Sequence, residues 1–139
     1  MSQKKILIVD DDPEVRLSLL VRLKVNNYDV VFAGDGVASI AEARKHMPDL
    51  IILDLGLPAG DGFSVLERLK ANVILSMIPV IVVSGRVRIP NRDWALKAGA
   101  IAFLQKPVDN ARLLSVIRHA LGEKVSSEPV IYELGETIH

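Results

Sequence analysis

The chain has 139 residues, half of them hydrophobic, which suits one compact domain with a substantial core. Its 17 basic and 17 acidic residues cancel, so nothing in the charge calls for nucleic acid or an anionic membrane. The absence of cysteine excludes a disulfide framework and a thiolate metal site and is compatible with a reducing cytoplasm.

Met1-Ser2-Gln3-Lys4-Lys5 leads directly into the apolar run Ile6-Leu7-Ile8-Val9, too short for a signal-peptide core or a membrane span and better read as a strand. That run stops at Asp10-Asp11. Asp12 and Pro13 then supply the N-cap and first-turn proline of a helix, and Val15, Leu19, Leu20 and Leu23 keep helical steps. A second run covers residues 30–33, and Asp35 caps a second helix that reaches His46. The third run, Leu50-Ile51-Ile52-Leu53, stops at Asp54 and is followed by Leu55-Gly56-Leu57-Pro58. A helix over 64–71 carries Val65, Leu66 and Leu69 on one side. The fourth run, 80–83, ends at Ser84, and a shorter helix over 91–98 is stopped by Gly99. The last run, 102–104, precedes Lys106-Pro107, and Asp109 caps a final helix that ends at Leu121 before Gly122.

Strands therefore alternate with helices five times. Runs unbroken in Ile, Leu and Val belong to strands covered on both faces, and hence to a parallel sheet. The expected class is α/β: a doubly wound five-stranded parallel sheet, (βα)5, with helices on both faces. Ligands in such sheets bind beyond the carboxyl ends of the strands, where strand order reverses. Asp10, Asp11, Asp54 and Ser84 all stand at those ends. Three carboxylates gathered there repel one another and call for a divalent cation, a lysine or both.

The segments that carry these residues occur in a telling order. They are Ile6 through Pro13, Asp49 through Pro58 with Asp61-Gly62, Val82-Val83-Ser84-Gly85, Ala98-Gly99-Ala100 and Lys106-Pro107. Together they resemble the receiver domain of bacterial two-component response regulators, over residues 4–121. The resemblance implies a flavodoxin-like fold with Asp54 as phosphoacceptor, a carboxylate nucleophile that forms an acyl phosphate. It implies Mg²⁺ as cofactor, with Asp11 a direct ligand, Asp10 its helper through water, and the Gly56 main-chain carbonyl a third ligand. Lys106 and Ser84 become the phosphoryl-binding cation and hydroxyl, Phe103 the aromatic switch, and Lys106-Pro107 a cis peptide.

The implied partners are a sensor histidine kinase or phosphotransfer protein and a downstream protein target, with no direct nucleic-acid or membrane contact. A homodimer through the fourth and fifth helices stays open, and the expected location is cytoplasmic. Residues 1–121 would form the receiver. Residues 122–139, with a formal charge of −3, would form a short acidic tail or the start of a linker with no output domain; Val130-Ile131-Tyr132 could pair as a strand.

Elementary chemistry favours the same roles. Phosphoryl transfer needs positioning and charge neutralisation more than covalent chemistry from the protein. Mg²⁺ takes oxygen ligands and keeps several waters. A lysine adds a mobile point charge, and a serine hydroxyl donates one hydrogen bond. Two other functions compete. A receiver-like binding module that is never phosphorylated would not need Asp11, Asp54, Ser84 and Lys106 together. A phosphatase with an aspartyl nucleophile would place a second carboxylate two residues later as general acid, where Gly56 stands. The chain is thus expected to catalyse only its own phosphorylation and dephosphorylation. Phe103 stands where tyrosine is frequent, and Pro90, with Arg86, Arg88 and Arg92 around it, makes the loop at the start of the fourth helix unusual. Trp94 reads as half-buried packing or, on the second reading, a partner anchor. His46, His119 and His139 show no ligand spacing.

Overall fold

The strands form where the apolar runs stand. A computed structural model describes residues 3–57, 62–85 and 89–123. Its elements in chain order are β1 (Lys5–Val9), α1 (Pro13–Val25), β2 (Asp29–Ala33), α2 (Gly36–His46), β3 (Leu50–Leu53), α3 (Gly62–Ala71), β4 (Val80–Ser84), α4 (Ile89–Lys97), β5 (Ala102–Gln105) and α5 (Asn110–Ala120). All five strands are parallel, in the order β2-β1-β3-β4-β5.

Successive side chains of a strand point to opposite faces, and the core divides accordingly. Leu7, Val9, Ile51, Leu53, Val80 and Val82 pack with residues of α2 and α3 and with Ala95 of α4. Ile6, Ile8, Leu50, Ile52, Ile81 and Val83 pack with Leu19 and Leu23 of α1 and Leu113, Val116 and Ile117 of α5. Each face is buried under helices, which explains the unbroken apolar runs.

The three expected caps are made. Asp12 Oδ1 accepts from the Glu14 amide at 2.9 Å, Asp35 Oδ1 from Ala38 at 2.8 Å, and Asp109 Oδ2 from Arg112 at 3.0 Å. Such a cap stabilises a helix by about 1 kcal/mol. Two helix starts differ from the sequence reading. Helix α3 begins at Gly62 and α4 at Ile89, each two residues earlier than expected. Glycine adds nothing to an apolar pattern, and proline is tolerated in a first helical turn, so neither start carries a periodic signal.

A short 3-10 turn, Leu75–Met77, was not anticipated. It is held by polar groups: the Asn72 side chain accepts from the Ile74 and Leu75 amides, each at 2.9 Å. Lys70 Nζ donates to the carbonyls of Ser76 and Ile78 at 3.2 and 3.1 Å, and burial pulls its pKa below the usual lysine value.

Beyond α5, Glu123 reaches back to the domain. The Tyr28 hydroxyl donates to Glu123 Oε1 at 2.6 Å, and Arg118 Nη2 donates to Asn26 Oδ1 at 3.1 Å. Burial, then the Glu123 carboxylate, push the Tyr28 pKa up to about 12. Residues 124–139, including the expected Val130-Ile131-Tyr132 strand, lie outside the described residues, as do Asp61, Arg86 and Arg88. Among the described residues, no helix is long and apolar enough to cross a membrane.

Candidate functional site

Strand order reverses between β1 and β3: from β1 the sheet extends to β2 on one side, and from β3 to β4 and β5 on the other. Val9 is in register with Leu53, so the residues that follow, Asp10 and Asp54, leave the sheet at the same level. The Asp54 amide donates to the Val9 carbonyl at 2.9 Å, and the Asp10 amide to the Ala33 carbonyl at 3.1 Å. Farther along the edge, the Lys106 amide donates to the Ser84 carbonyl at 3.0 Å. Plain strand pairing thus carries Asp10, Asp54, Ser84 and Lys106 to one rim.

Asp10, Asp11 and Asp54 converge, each offering a carboxylate oxygen within 4.8 Å of the others. Asp10 is 3% exposed and Asp54 9%, while Asp11 faces solvent. Lys106 Nζ lies 2.7 Å from Asp10 Oδ2 and 3.3 Å from Asp54 Oδ2. The remaining oxygens of the two buried carboxylates are also engaged. Asp10 Oδ1 accepts from the Asp12 amide at 2.9 Å and Asp54 Oδ1 from the Gly56 amide at 3.0 Å. Both carboxylates are therefore oriented before anything binds.

Burial alone would lower the Lys106 pKa, but its hydrogen bond to the Asp10 carboxylate and the charge of Asp54 outweigh it and leave the ammonium above its usual value. The donor set is all oxygen, largely shielded at Asp10 and Asp54 and open at Asp11, and only partly neutralised by one lysine. That composition fits a hard divalent cation and offers nothing to a soft one.

The resemblance makes Lys106 the cation that serves the phosphoacceptor Asp54. The structure brings it to both carboxylates and closer to Asp10, a contact between residues 96 apart in sequence that no local pattern announces. The Lys106-Pro107 peptide is cis. Ser84 is fully buried at the end of β4. Phe103 is 2% exposed and sits in the core beneath α2, α3 and α4, so the ring of the expected aromatic switch is turned inward in this structure. Trp94 is half-buried, with its ring at 60° to Phe63 and the centroids 4.6 Å apart, in accord with packing. His46 pairs with Glu42 on α2 at 3.0 Å.

Comparison with known proteins agrees with this rim of carboxylates. The profile of the response regulator receiver domain matches residues 6–118, and the chain belongs to that family as a receiver domain of two-component response regulators. The DNA-binding dual master transcriptional regulator RpaA of Synechocystis is 38% identical over 117 residues, covering 84% of this chain and 48% of RpaA. Protein PilH of Pseudomonas aeruginosa is 34% identical over 117 residues, covering 84% of this chain and 97% of PilH. This chain therefore spans about half the length of RpaA but nearly all of PilH. The crystal structure of the receiver domain of the sensor histidine kinase PA1611 from P. aeruginosa has a magnesium ion coordinated in its active site cleft. It matches this fold with a TM-score of 0.80 and 26% identity, covering 87% of this chain and 99% of that one.

Proposed function

We infer that this chain is a phosphorylation-dependent switch that accepts a phosphoryl group on Asp54. The observation that carries this reading is the buried Asp54 carboxylate held between the Gly56 amide and Lys106, with Asp10 and Asp11 converging on it. An Asp54 oxygen attacks phosphorus, the bond from phosphorus to the donor nitrogen or oxygen breaks, and the donor leaves with its electron pair. Lys106 neutralises charge on the transferred group, and the Ser84 hydroxyl turns to donate a hydrogen bond to one of its oxygens. Asp11, Asp10 and the Gly56 carbonyl are the groups that would hold Mg²⁺. When bound, Mg²⁺ offsets the negative charge of the phosphoryl oxygens.

The added charge enters a site where Asp10 and Asp54 are nearly closed to solvent, so the surroundings have to adjust. Movement at Ser84 is transmitted to Phe103 and to the surface formed by α4, β5 and α5. Phosphorylation selects between conformations already in the ensemble. The donor in this reading is a sensor histidine kinase or a phosphotransfer protein. A cleft of about 450 Å³, lined by Ser18, Leu19 and Arg22 of α1 and by Lys106, Pro107 and Val108, offers it a place beside the lysine that pairs with Asp54. The output is a downstream protein target, reached in the cytoplasm, with residues 1–121 acting as the receiver and residues 122–139 as tail or linker.

Incubation with Mg²⁺ and acetyl phosphate followed by intact-mass measurement tests the reading. Wild type is expected to gain one phosphoryl group only when Mg²⁺ is present, and Asp54→Asn none. Equal gain by the variant, or none by wild type at short times, sinks it.

A further inference from the structure

Gly62 opens α3 and sits directly on the strand end that carries Asp54. Its amide donates to the Leu55 carbonyl at 3.2 Å. A Cβ built on Gly62 would overlap the Asp54 carbonyl oxygen and the Leu55 Cα, both backbone atoms that cannot swing aside. Its φ lies outside the left-handed region, so backbone conformation does not demand glycine here. Helix propensity favours alanine at such a position. The one thing glycine supplies is closeness.

We propose that Gly62 is a positioning residue for phosphoryl uptake: its missing Cβ lets the first turn of α3 seat on the Asp54–Leu55 peptide, and this contact sets where the Asp54 carboxylate and the Gly56 carbonyl stand relative to Asp10 and Asp11. The role rests on Asp54 being the phosphoacceptor. Asp54 Oδ1 already takes the Gly56 amide, so the short stretch 54–56 is fastened twice: to the Asp54 side chain at Gly56 and, through the Leu55 carbonyl, to Gly62. Pushing α3 outward shifts the strand end while the sheet below it stays paired. The neighbouring residue gives an independent sign of that shift. Phe63 packs edge-on against Trp94, the single tryptophan of the chain, so displacement of α3 alters the surroundings of one intrinsic fluorophore.

The test compares wild type, Gly62→Ala and Gly34→Ala. Gly34 is a matched control at the end of β2, where a Cβ would rest 3.6 Å from an Arg16 guanidinium nitrogen, an ordinary contact. Three quantities are measured: Trp94 emission, Mg²⁺ affinity by calorimetry, and the rate of phosphorylation by acetyl phosphate at saturating Mg²⁺. Small misplacements of reacting groups cost large rate factors, so Gly62→Ala is expected to be folded, to show shifted Trp94 emission, and to lose about tenfold to a hundredfold in rate together with weaker Mg²⁺ binding. Gly34→Ala is expected to stay within about twofold of wild type on the same reasoning. Shifted emission with unchanged rate and Mg²⁺ affinity would leave Gly62 a packing residue and overturn the proposal. If wild type itself takes up no phosphoryl group, the functional reading falls. The Mg²⁺ titration then decides for Gly62 alone, and equal affinities in wild type and variant overturn its role.

Discussion

Lys106→Met is expected to destabilise the metal-free protein and, at the same time, to tighten its hold on Mg²⁺. Lys106 Nζ is the cation placed between Asp10 and Asp54, at 2.7 and 3.3 Å, with its side chain 24% exposed. Removing one member of a buried ion pair strands the other; allowing for the partial exposure of the lysine, the loss is about 2 kcal/mol. Methionine keeps most of the stem's packing, so the change reports charge. A bound divalent cation in the wild type is repelled by the nearby ammonium. Without that repulsion the three carboxylates attract it more strongly, by roughly tenfold in affinity at a screened interaction of about 1–2 kcal/mol.

The pH dependence carries a definite sign. The folded-state pKa of Lys106 is raised above the ordinary 10.5, so its stabilisation is fully present below 10.5 and is lost as pH rises through the folded-state value. The gap in stability between wild type and Lys106→Met is therefore flat through neutral pH and closes only in the alkaline range. Urea unfolding of both proteins at neutral and alkaline pH, with Mg²⁺ titrations alongside, measures each part. Equal stability at neutral pH, or a gap that widens with alkali, contradicts this account of the pair.

Phe103→Ala is expected to cost about 3–5 kcal/mol, the usual range for emptying a buried aromatic site. The ring is 2% exposed and belongs to the core cluster beneath α2, α3 and α4. Against a typical domain stability of about 5–15 kcal/mol, such a loss leaves a marginal fold. Phe103→Leu separates packing from switching, because it keeps most of the buried volume and is expected to cost about 1–2 kcal/mol. Both roles predict normal phosphoryl uptake in the leucine variant, since the ring belongs to the apolar core and not to the carboxylate cluster. They part on the response. If Phe103 relays the change at Ser84, phosphorylation of Phe103→Leu should no longer alter hydrogen exchange in α4, β5 and α5. An unchanged exchange response would assign Phe103 to packing alone.

Which parts of this molecule can be read from its sequence follows from the physics of each part. Strands β1 and β3 were legible because both faces are buried, so Ile6-Leu7-Ile8-Val9 and Leu50-Ile51-Ile52-Leu53 admit no polar residue until the rim, where Asp10 and Asp54 announce themselves. Asp12, Asp35 and Asp109 were legible as caps because capping is a local bond between residues two or three apart. The less legible features depend on distant partners or on side chains that are absent. Nothing local says that Lys106 sits closer to Asp10 than to Asp54, or that Glu123, read as the start of a tail, accepts from Tyr28 across 95 positions. The 3-10 turn at Leu75–Met77 rests on Asn72 and Lys70 bonds to backbone, which leave no apolar period. The close seat of Gly62 on the Asp54 strand end is visible only when the missing Cβ is built.

One particular carboxylate, Asp54, is expected to become the acyl phosphate. Borohydride reduces an acyl phosphate to the alcohol, so it marks the acceptor permanently. Wild type phosphorylated with acetyl phosphate and Mg²⁺, then reduced, digested and sequenced by mass spectrometry, should carry the mark at Asp54 and nowhere else. A mark on Asp10 or Asp11, or no mark in protein that has demonstrably bound Mg²⁺, would contradict it.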